Sequence, residues 1–240
     1  MLRVEKITKF YRNHPAIHDL SFNVNKGEIL GIAGPNGSGK TTLLRIIATL
    51  LTPTCGHIYF QDFDKRWKEL LMRQQIGYMP EDASHYLRLN AIQNLSFHLS
   101  FYDIDKTSEK IELYLKMFDL WKVRKKSVGQ FSKGMKQKLL FIRAIIHDPA
   151  LLLLDEPFTS LDPTTRNTCK LIIRDLRAAQ MAIIISSHSL ADLAILCDHI
   201  LFLKEGKQIQ HKSMKTLQVK LKETGTQDVE ACYLKLMEEK

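Results

Sequence analysis

Ile29-Leu30-Gly31-Ile32-Ala33-Gly34-Pro35-Asn36-Gly37-Ser38-Gly39-Lys40-Thr41-Thr42-Leu43-Leu44 passes from an apolar run, through a glycine-rich loop, into a helical pattern. The run Ile29 to Ala33 has the composition of a strand, and Thr41 to Leu51 that of a helix. Between them, Gly34 to Thr41 fits the phosphate-loop pattern G-x-x-x-x-G-K-[ST] in its required strand, loop and helix setting. Chemistry explains the residue types. A backbone that wraps a β-phosphate turns consecutive N–H groups inward, and Gly34, Gly37 and Gly39 leave room for that approach, with Pro35, Asn36 and Ser38 completing the loop. The helix start adds unpaired amides and a positive dipole end. Lys40 is expected to reach the β- and γ-phosphates of ATP, and the Thr41 hydroxyl to ligate Mg²⁺; Thr42 belongs to the same nucleotide-binding set.

Working outward, Arg3 to Tyr11 and Ala16 to Asn25 alternate apolar and polar residues, which predicts a short antiparallel sheet at the start of the chain. Pro53 and Gly56 close the phosphate-loop unit, His57 to Phe60 returns as a strand, and a helix is expected from about Lys65 to Gln75. From about Asn90 to Phe141 apolar residues recur at helical spacing, with Ile92, Leu95 and Leu99 in one helix and Ile111, Tyr114, Leu115 and Phe118 in the next. Continuous apolar runs resume at Leu151 to Leu154 and Ala182 to Ser186, as expected of parallel strands buried on both faces. A final strand, Ile200 to Leu203, turns through Glu205-Gly206-Lys207, and two amphipathic segments near Leu217 and Leu234 finish the chain. The expected fold is α/β: a P-loop NTPase core with a mainly parallel sheet, an N-terminal antiparallel β subdomain and an inserted α-helical subdomain. Residues 1–80 and 150–210 would form the RecA-like core, 81–149 the insert and 211–240 a helical tail, all within a single domain.

The second chemical motif is Leu151-Leu152-Leu153-Leu154-Asp155-Glu156-Pro157, which sets two carboxylates where a buried strand emerges. Asp155 suits a contact to Mg²⁺, direct or through water. Glu156, alternating to the opposite face, suits the orientation and deprotonation of an attacking water.

Taken in order, these motifs resemble the ATP-binding subunits of ABC transporters from Arg3 to about Leu236. Phe131-Ser132-Lys133-Gly134-Met135 resembles that family's signature motif, normally Leu-Ser-Gly-Gly-Gln, keeping Ser132 and Gly134. Ser160-Leu161-Asp162 resembles the D-loop, His188 the switch histidine and Tyr11 the aromatic that stacks on adenine. The resemblance implies catalytic roles for Glu156, His188 and Lys40. It also implies nucleotide contacts from Ser132, Gly134 and Asp162, made across a head-to-tail homodimer that sandwiches ATP. Ser132 is in addition a good helix N-cap, and Lys133 in the first turn is mildly unfavourable there unless an anion binds. The Ile76-Gly77-Tyr78-Met79-Pro80-Glu81-Asp82 segment resembles the Q-loop with Glu81 in place of glutamine. A carboxylate there only accepts hydrogen bonds and adds charge beside Mg²⁺, and with Ser-Lys-Gly-Met-Lys-Gln it resembles the export-type members.

Composition bounds the partners. Of 240 residues 45% are hydrophobic and 25% charged, which excludes a disordered chain, and no apolar stretch approaches the roughly 20 residues that span a bilayer. The first residues, MLRVEKITKFYRN, lack the apolar core of a signal peptide, so the expectation is a cytoplasmic protein; the resemblance implies peripheral attachment to the membrane's inner face through membrane-spanning transporter subunits. Cys55, Cys169, Cys197 and Cys232 stand without metal or disulfide spacing. The net charge of +9 is concentrated between Lys106 and Arg143, where eleven Lys/Arg face three Asp/Glu. That basic face keeps open a rival reading, a soluble ABC-type ATPase acting on nucleic acid or ribosomes, although no nucleic acid is expected for the leading one.

Overall fold

The computed structural model describes residues 1–12, 14–60, 63–64, 69–82, 85–102, 104–105, 107–214 and 216, the side chains of 63, 64, 69 and 70 excepted. Strand β1 (Leu2–Tyr11) pairs antiparallel with β2 (His14–Val24), and β3 (Ile29–Ala33) leads through the glycine loop into helix α1 (Lys40–Ile47). Strands β4 (Cys55–Phe60) and β5 (Phe63–Asp64) complete an antiparallel sheet in the order β2-β1-β4-β5. Then come α2 (Glu69–Gln74), β6 (Ile76–Met79), and the insert helices α3 (Ala91–Leu99), α4 (Thr107–Met117) and α5 (Lys133–Ile145). Strand β7 (Leu151–Asp155), α6 (Pro163–Ala178), β8 (Ala182–Ser187), α7 (Leu190–Leu196), β9 (His199–Lys204) and β10 (Lys207–Ser213) follow. The larger sheet has the order β10-β9-β3-β8-β7-β6, parallel from β9 to β6.

Period-two alternation along this sheet divides the interior. Leu30, Ile32, Leu151, Leu153, Ala182 and Ile184 face α1 and the antiparallel sheet in one hydrophobic core. Ile29, Ala33, Leu152, Leu154, Ile183 and Ile185 face the insert helices, α6 and α7 in the other. Every residue of β3, β7 and β8 is buried, which is why these segments are continuous apolar runs. Gly77 lets α5 settle on β6: a Cβ at that position would stand 2.0 Å from the Ala144 carbonyl oxygen. The signature-bearing helix and the strand leading to Glu81 are therefore packed backbone to backbone.

Three sequence expectations change. The helix after the glycine loop stops at Ile47, not Leu51. Thr49 turns into the left-handed region at φ 61°, and Leu50 N and Leu51 N both donate to the Arg45 carbonyl at 2.9 and 3.2 Å, closing the helix before Pro53. Second, Ile200–Leu203 does not lie in the last strand, because the Glu205-Gly206 turn returns the chain as β10, an antiparallel edge on β9. Third, the expected tail from 211 opens as strand, since β10 runs to Ser213. The expected amphipathic segments near Leu217 and Leu234, and the first residues of the expected Lys65–Gln75 helix, lie outside the described residues.

Where the insert meets the core, His98 of α3, Tyr102 and His147 form a ring cluster: Tyr102 and His147 stack at 4.3 Å, and the two imidazoles lie edge to face at 5.5 Å. Burial lowers His147 to about 4 and, with the charges of His147 and Arg143, His98 to about 3; Asp148 raises His147 slightly and Lys110 lowers it. Both rings are neutral in the fold and more basic, near 6.5, when unfolded. Stability from the neutral rings is thus complete above pH 6.5 and is lost as the pH falls toward 4. The urea midpoint is expected to drop between pH 6.5 and 5, above the main carboxylate range, and His147→Gln is expected to flatten that slope. An unchanged slope would contradict the assignment.

Candidate functional site

The C-terminal ends of β3, β7 and β8 lie side by side, and the residues that follow them enclose a cleft of about 620 Å³. Ala16, Asn36, Gly37, Gly39, Lys40, Thr41, Thr42, Glu81, Asp155, Glu156, Thr159 and His188 line it, so the glycine loop and the paired carboxylates share one space although they are far apart in sequence. Gly34, Pro35 and Ser38 form the loop beneath. Lys40 is 7% exposed and its ammonium donates to the carbonyls of Gly34 at 2.8 Å and Pro35 at 3.2 Å, holding the loop curled over its own helix start. The Gly206 amide of the β9–β10 turn donates to the Ser38 carbonyl, and the Ser38 hydroxyl is buried without a hydrogen-bond partner among the described residues. At Gly39, φ is 105° and an added Cβ would lie 2.5 Å from the Ala16 carbonyl of β2. This glycine is required twice over, by its backbone conformation and by the strand pressed against it.

Asp155 is fully buried. One carboxylate oxygen, Oδ1, accepts from the Ser186 hydroxyl at 2.5 Å, while Oδ2 has no hydrogen-bond partner among the described residues. A buried carboxylate oxygen left unpaired beside a glycine loop and a threonine hydroxyl fits a divalent cation, which would satisfy it. Tyr78 nearby is pushed up to about 12 by burial and then by the charge of Asp155, so its hydroxyl stays protonated.

Glu156 corrects the expected strand alternation. Strand β7 ends at Asp155, and Glu156 adopts φ 49°, in the left-handed region, so both carboxylates line the cleft instead of diverging to opposite faces. The turn is held by Ser186, whose hydroxyl and carbonyl both accept from the Glu156 amide at 3.2 Å. The Glu156 carboxylate accepts from the His188 amide and from its ring Nδ1, each at 2.9 Å. The His188 side chain is 67% exposed at the mouth of the cleft, and Glu156 lies behind it at 9%.

Of the remaining sequence candidates, only Glu81 reaches the cleft. Glu81 is exposed on the cleft wall just after β6. Tyr11 is half exposed at the end of β1, outside the lining, with the Lys9 ammonium 5.7 Å from its ring centre. Ser132 caps α5 by accepting from Met135 N at 3.2 Å, and Asp162 caps α6 through Thr165 at 2.9 Å. The hydrogen bonds from the Thr165 hydroxyl and amide hold the Asp162 carboxyl below its ordinary range. An added Cβ at Gly134 would lie 3.4 Å from the Ser160 carbonyl, so the signature and Ser160-Leu161-Asp162 segments are neighbours, yet neither lines the cleft. Ser186, Thr159 and Ala16 were not picked out by sequence. Ser186 carried a usable signal, two serines closing an otherwise apolar strand immediately before His188.

This geometry defines a phosphate-loop nucleotide-binding protein of the α/β class. The family model described as ABC transporter matches residues 17–159. The uncharacterised ABC transporter ATP-binding protein YxlF of Bacillus subtilis is 38% identical over 94% of this chain and 79% of its own. The bacitracin transport ATP-binding protein BcrA of Bacillus licheniformis is 37% identical over 88% of this chain and 69% of its own. A solved ATP-binding subunit of an ABC transporter superposes with a TM-score of 0.90 at 26% identity, covering 99% of each chain. A dimeric bacterial ABC transporter cassette gives 0.82 at 25% identity, over 89% of this chain and 99% of that one. The chain belongs to the ABC transporter family as one of its ATP-binding, ATP-hydrolysing subunits, and no helix among the described residues is long and apolar enough to cross a membrane. The rival reading on nucleic acid or ribosomes finds no support among these relatives.

Replacing Gly39 with alanine combines a left-handed backbone with a 2.5 Å approach to β2. Strain of about 1–3 kcal/mol is expected at the loop, and nucleotide affinity should fall about tenfold or more in a fluorescent-nucleotide titration. Unaltered affinity would show that β2 yields freely.

Proposed function

We propose that this subunit drives export, as a homodimer docked under membrane-spanning partners at the inner face of the membrane, and that Glu156 activates the water that attacks ATP. One observation carries the catalytic reading: Glu156, turned into the cleft by Ser186, stands beside the glycine loop with its carboxylate held by hydrogen bonds from His188. In the proposed step a water oxygen bonds to the γ-phosphorus, the bond from that phosphorus to the bridging oxygen of ADP breaks, and the water proton passes to Glu156. Lys40 releases the loop carbonyls to hold the β- and γ-phosphates, and His188 positions Glu156 and contacts the transferring phosphoryl group. Thr41, Asp155 and Glu81 would hold Mg²⁺, whose chemistry there is to neutralise phosphate charge. Tyr11 would stack on adenine.

The homodimer reading is supported by what the cleft lacks. Ser132, Gly134 and Asp162 adjoin one another on the surface but lie off their own cleft, so a second copy, head to tail, would bring them to the γ-phosphate. The dimeric cassette of similar fold is consistent with this. Export is favoured by Glu81 at the Q-loop position and by similarity to a protein named for bacitracin transport.

Glu156→Gln should retain ATP binding and lower turnover by ~10²–10⁴-fold, the usual worth of a positioned base. The variant should run as an ATP-stabilised dimer in gel filtration. A monomeric profile with wild-type hydrolysis would sink both the base and the sandwich. Glu81→Gln should raise the Mg²⁺ concentration for half-maximal hydrolysis and leave metal-free nucleotide affinity nearly unchanged. Superimposable magnesium titrations would remove Glu81 from the metal set.

A further inference from the structure

The insert carries a second built surface away from the cleft. From Glu112 to Lys126 there are five cations, Lys116, Lys122, Arg124, Lys125 and Lys126, against Glu112 and Asp119, a net charge of +3. Lys116 is engaged by Glu112 at 2.6 Å. Its ammonium also lies 5.5 Å from the centre of the Trp121 ring, over which the Arg124 guanidinium sits at 4.0 Å. Arg124 further donates to the Trp121 carbonyl at 2.9 Å, which fixes the short 3-10 turn Trp121–Val123. Lys122, Lys125 and Lys126 are exposed and have no ion-pair partner among the described residues. One helical turn apart on α4, Leu113 and Met117 are 56% and 44% exposed, and they flank Lys116.

A solvated helical face accounts for lysines. It does not account for the exposed Leu113 and Met117 beside them, while Trp121, partly buried against the hydrophobic core and covered by Arg124, anchors the turn that carries them. Apolar and aromatic groups interleaved with unpaired ammonium groups are the composition that settles at the boundary between anionic headgroups and acyl chains. We propose that the Trp121–Lys126 turn and the adjoining end of α4 bind anionic phospholipid headgroups. The proposal rests on the reading of this chain as a transporter subunit at the inner face of the membrane. The turn is also rigidly placed. Ser127 bridges to Asn90, and the amides of Val128 and Gly129 donate to the carbonyls of Leu89 and Leu87 at 2.9 and 2.8 Å. Lipid contact at the lysines therefore orients the segment that follows the Glu81 loop.

Full-length protein without any partner should float with phosphatidylglycerol-containing vesicles and not with phosphatidylcholine alone, and salt should weaken the binding. Each lysine near an anionic surface is worth about fivefold, so Lys122→Gln/Lys125→Gln/Lys126→Gln should lower partitioning about 10²-fold. Basal ATP turnover and circular dichroism should be unchanged. Removing the same charge from the β9–β10 hairpin, as Lys204→Gln/Lys207→Gln/Lys212→Gln, should cost much less. Equal binding to both vesicles, equal loss in both triple variants, displacement by free phosphate at matched ionic strength, or RNA binding through these lysines without vesicle binding would each overturn the proposal. The two readings separate. Partner-stimulated hydrolysis with no vesicle binding removes the lipid surface alone, and vesicle binding with no response to a reconstituted partner removes the transport reading.

Discussion

A parallel sheet buried on both faces can offer polar chemistry only where its strands end. The apolar side chains of β3, β7 and β8 are committed to one of two hydrophobic cores, so polar groups enter only at the strand ends, beyond Ala33, at Asp155 and from Ser186 onward. Three neighbouring strands finishing at the same edge bring the glycine loop, the two carboxylates and His188 into one cleft. The insert helices and the antiparallel sheet cover the two faces and make that edge the available place for the site.

Burial on both faces also decides what the sequence makes legible. Strands β3, β7 and β8 announce themselves as unbroken apolar runs because burial on both faces removes alternation, and the glycine loop is marked by residue types that its backbone requires. Less legible was anything decided by backbone reversal at an element's end. The early stop of α1 depends on a left-handed Thr49, and the direction of Glu156 depends on φ 49°. Both are non-glycine residues in a conformation that composition does not announce. The second hairpin strand, β10, is illegible for a different reason. Its sequence, KQIQHKS, is polar because it is an edge with little burial, so it lacks the apolar signal that marks the central strands.

Ser186 shows how far a pattern can go. Asp155 and Glu156 read as a metal ligand and a base from their types and adjacency, but their orientation belongs to a serine on the next strand. Its hydroxyl donates to Asp155 and accepts from the Glu156 amide. A buried hydroxyl with both functions used leaves Asp155 Oδ2 as the acceptor still unsatisfied within the constellation. Register between β7 and β8, Asp155 opposite Ser186, is what creates the contact, and register is a long-range property that a single strand's sequence does not carry.

The cleft is tied to the rest of the molecule through β6 and α5. Glu81 stands on the cleft wall, and the strand before it, β6, touches α5 at the Gly77 and Ala144 backbones with no side chain between. A few residues past Glu81, Leu87 to Asn90 is hydrogen-bonded to Ser127–Gly129, which leads into Ser132 and the start of α5. The Glu81 loop is thus held at both ends by α5 or by the segment that enters it. A shift of Glu81 toward a γ-phosphate would therefore act first on ties made to that helix and to the segment entering it. In the proposed dimer the same helix presents Ser132 and Gly134 to the opposite nucleotide, so each site would sense its own phosphate through Glu81 and report it to its neighbour through α5.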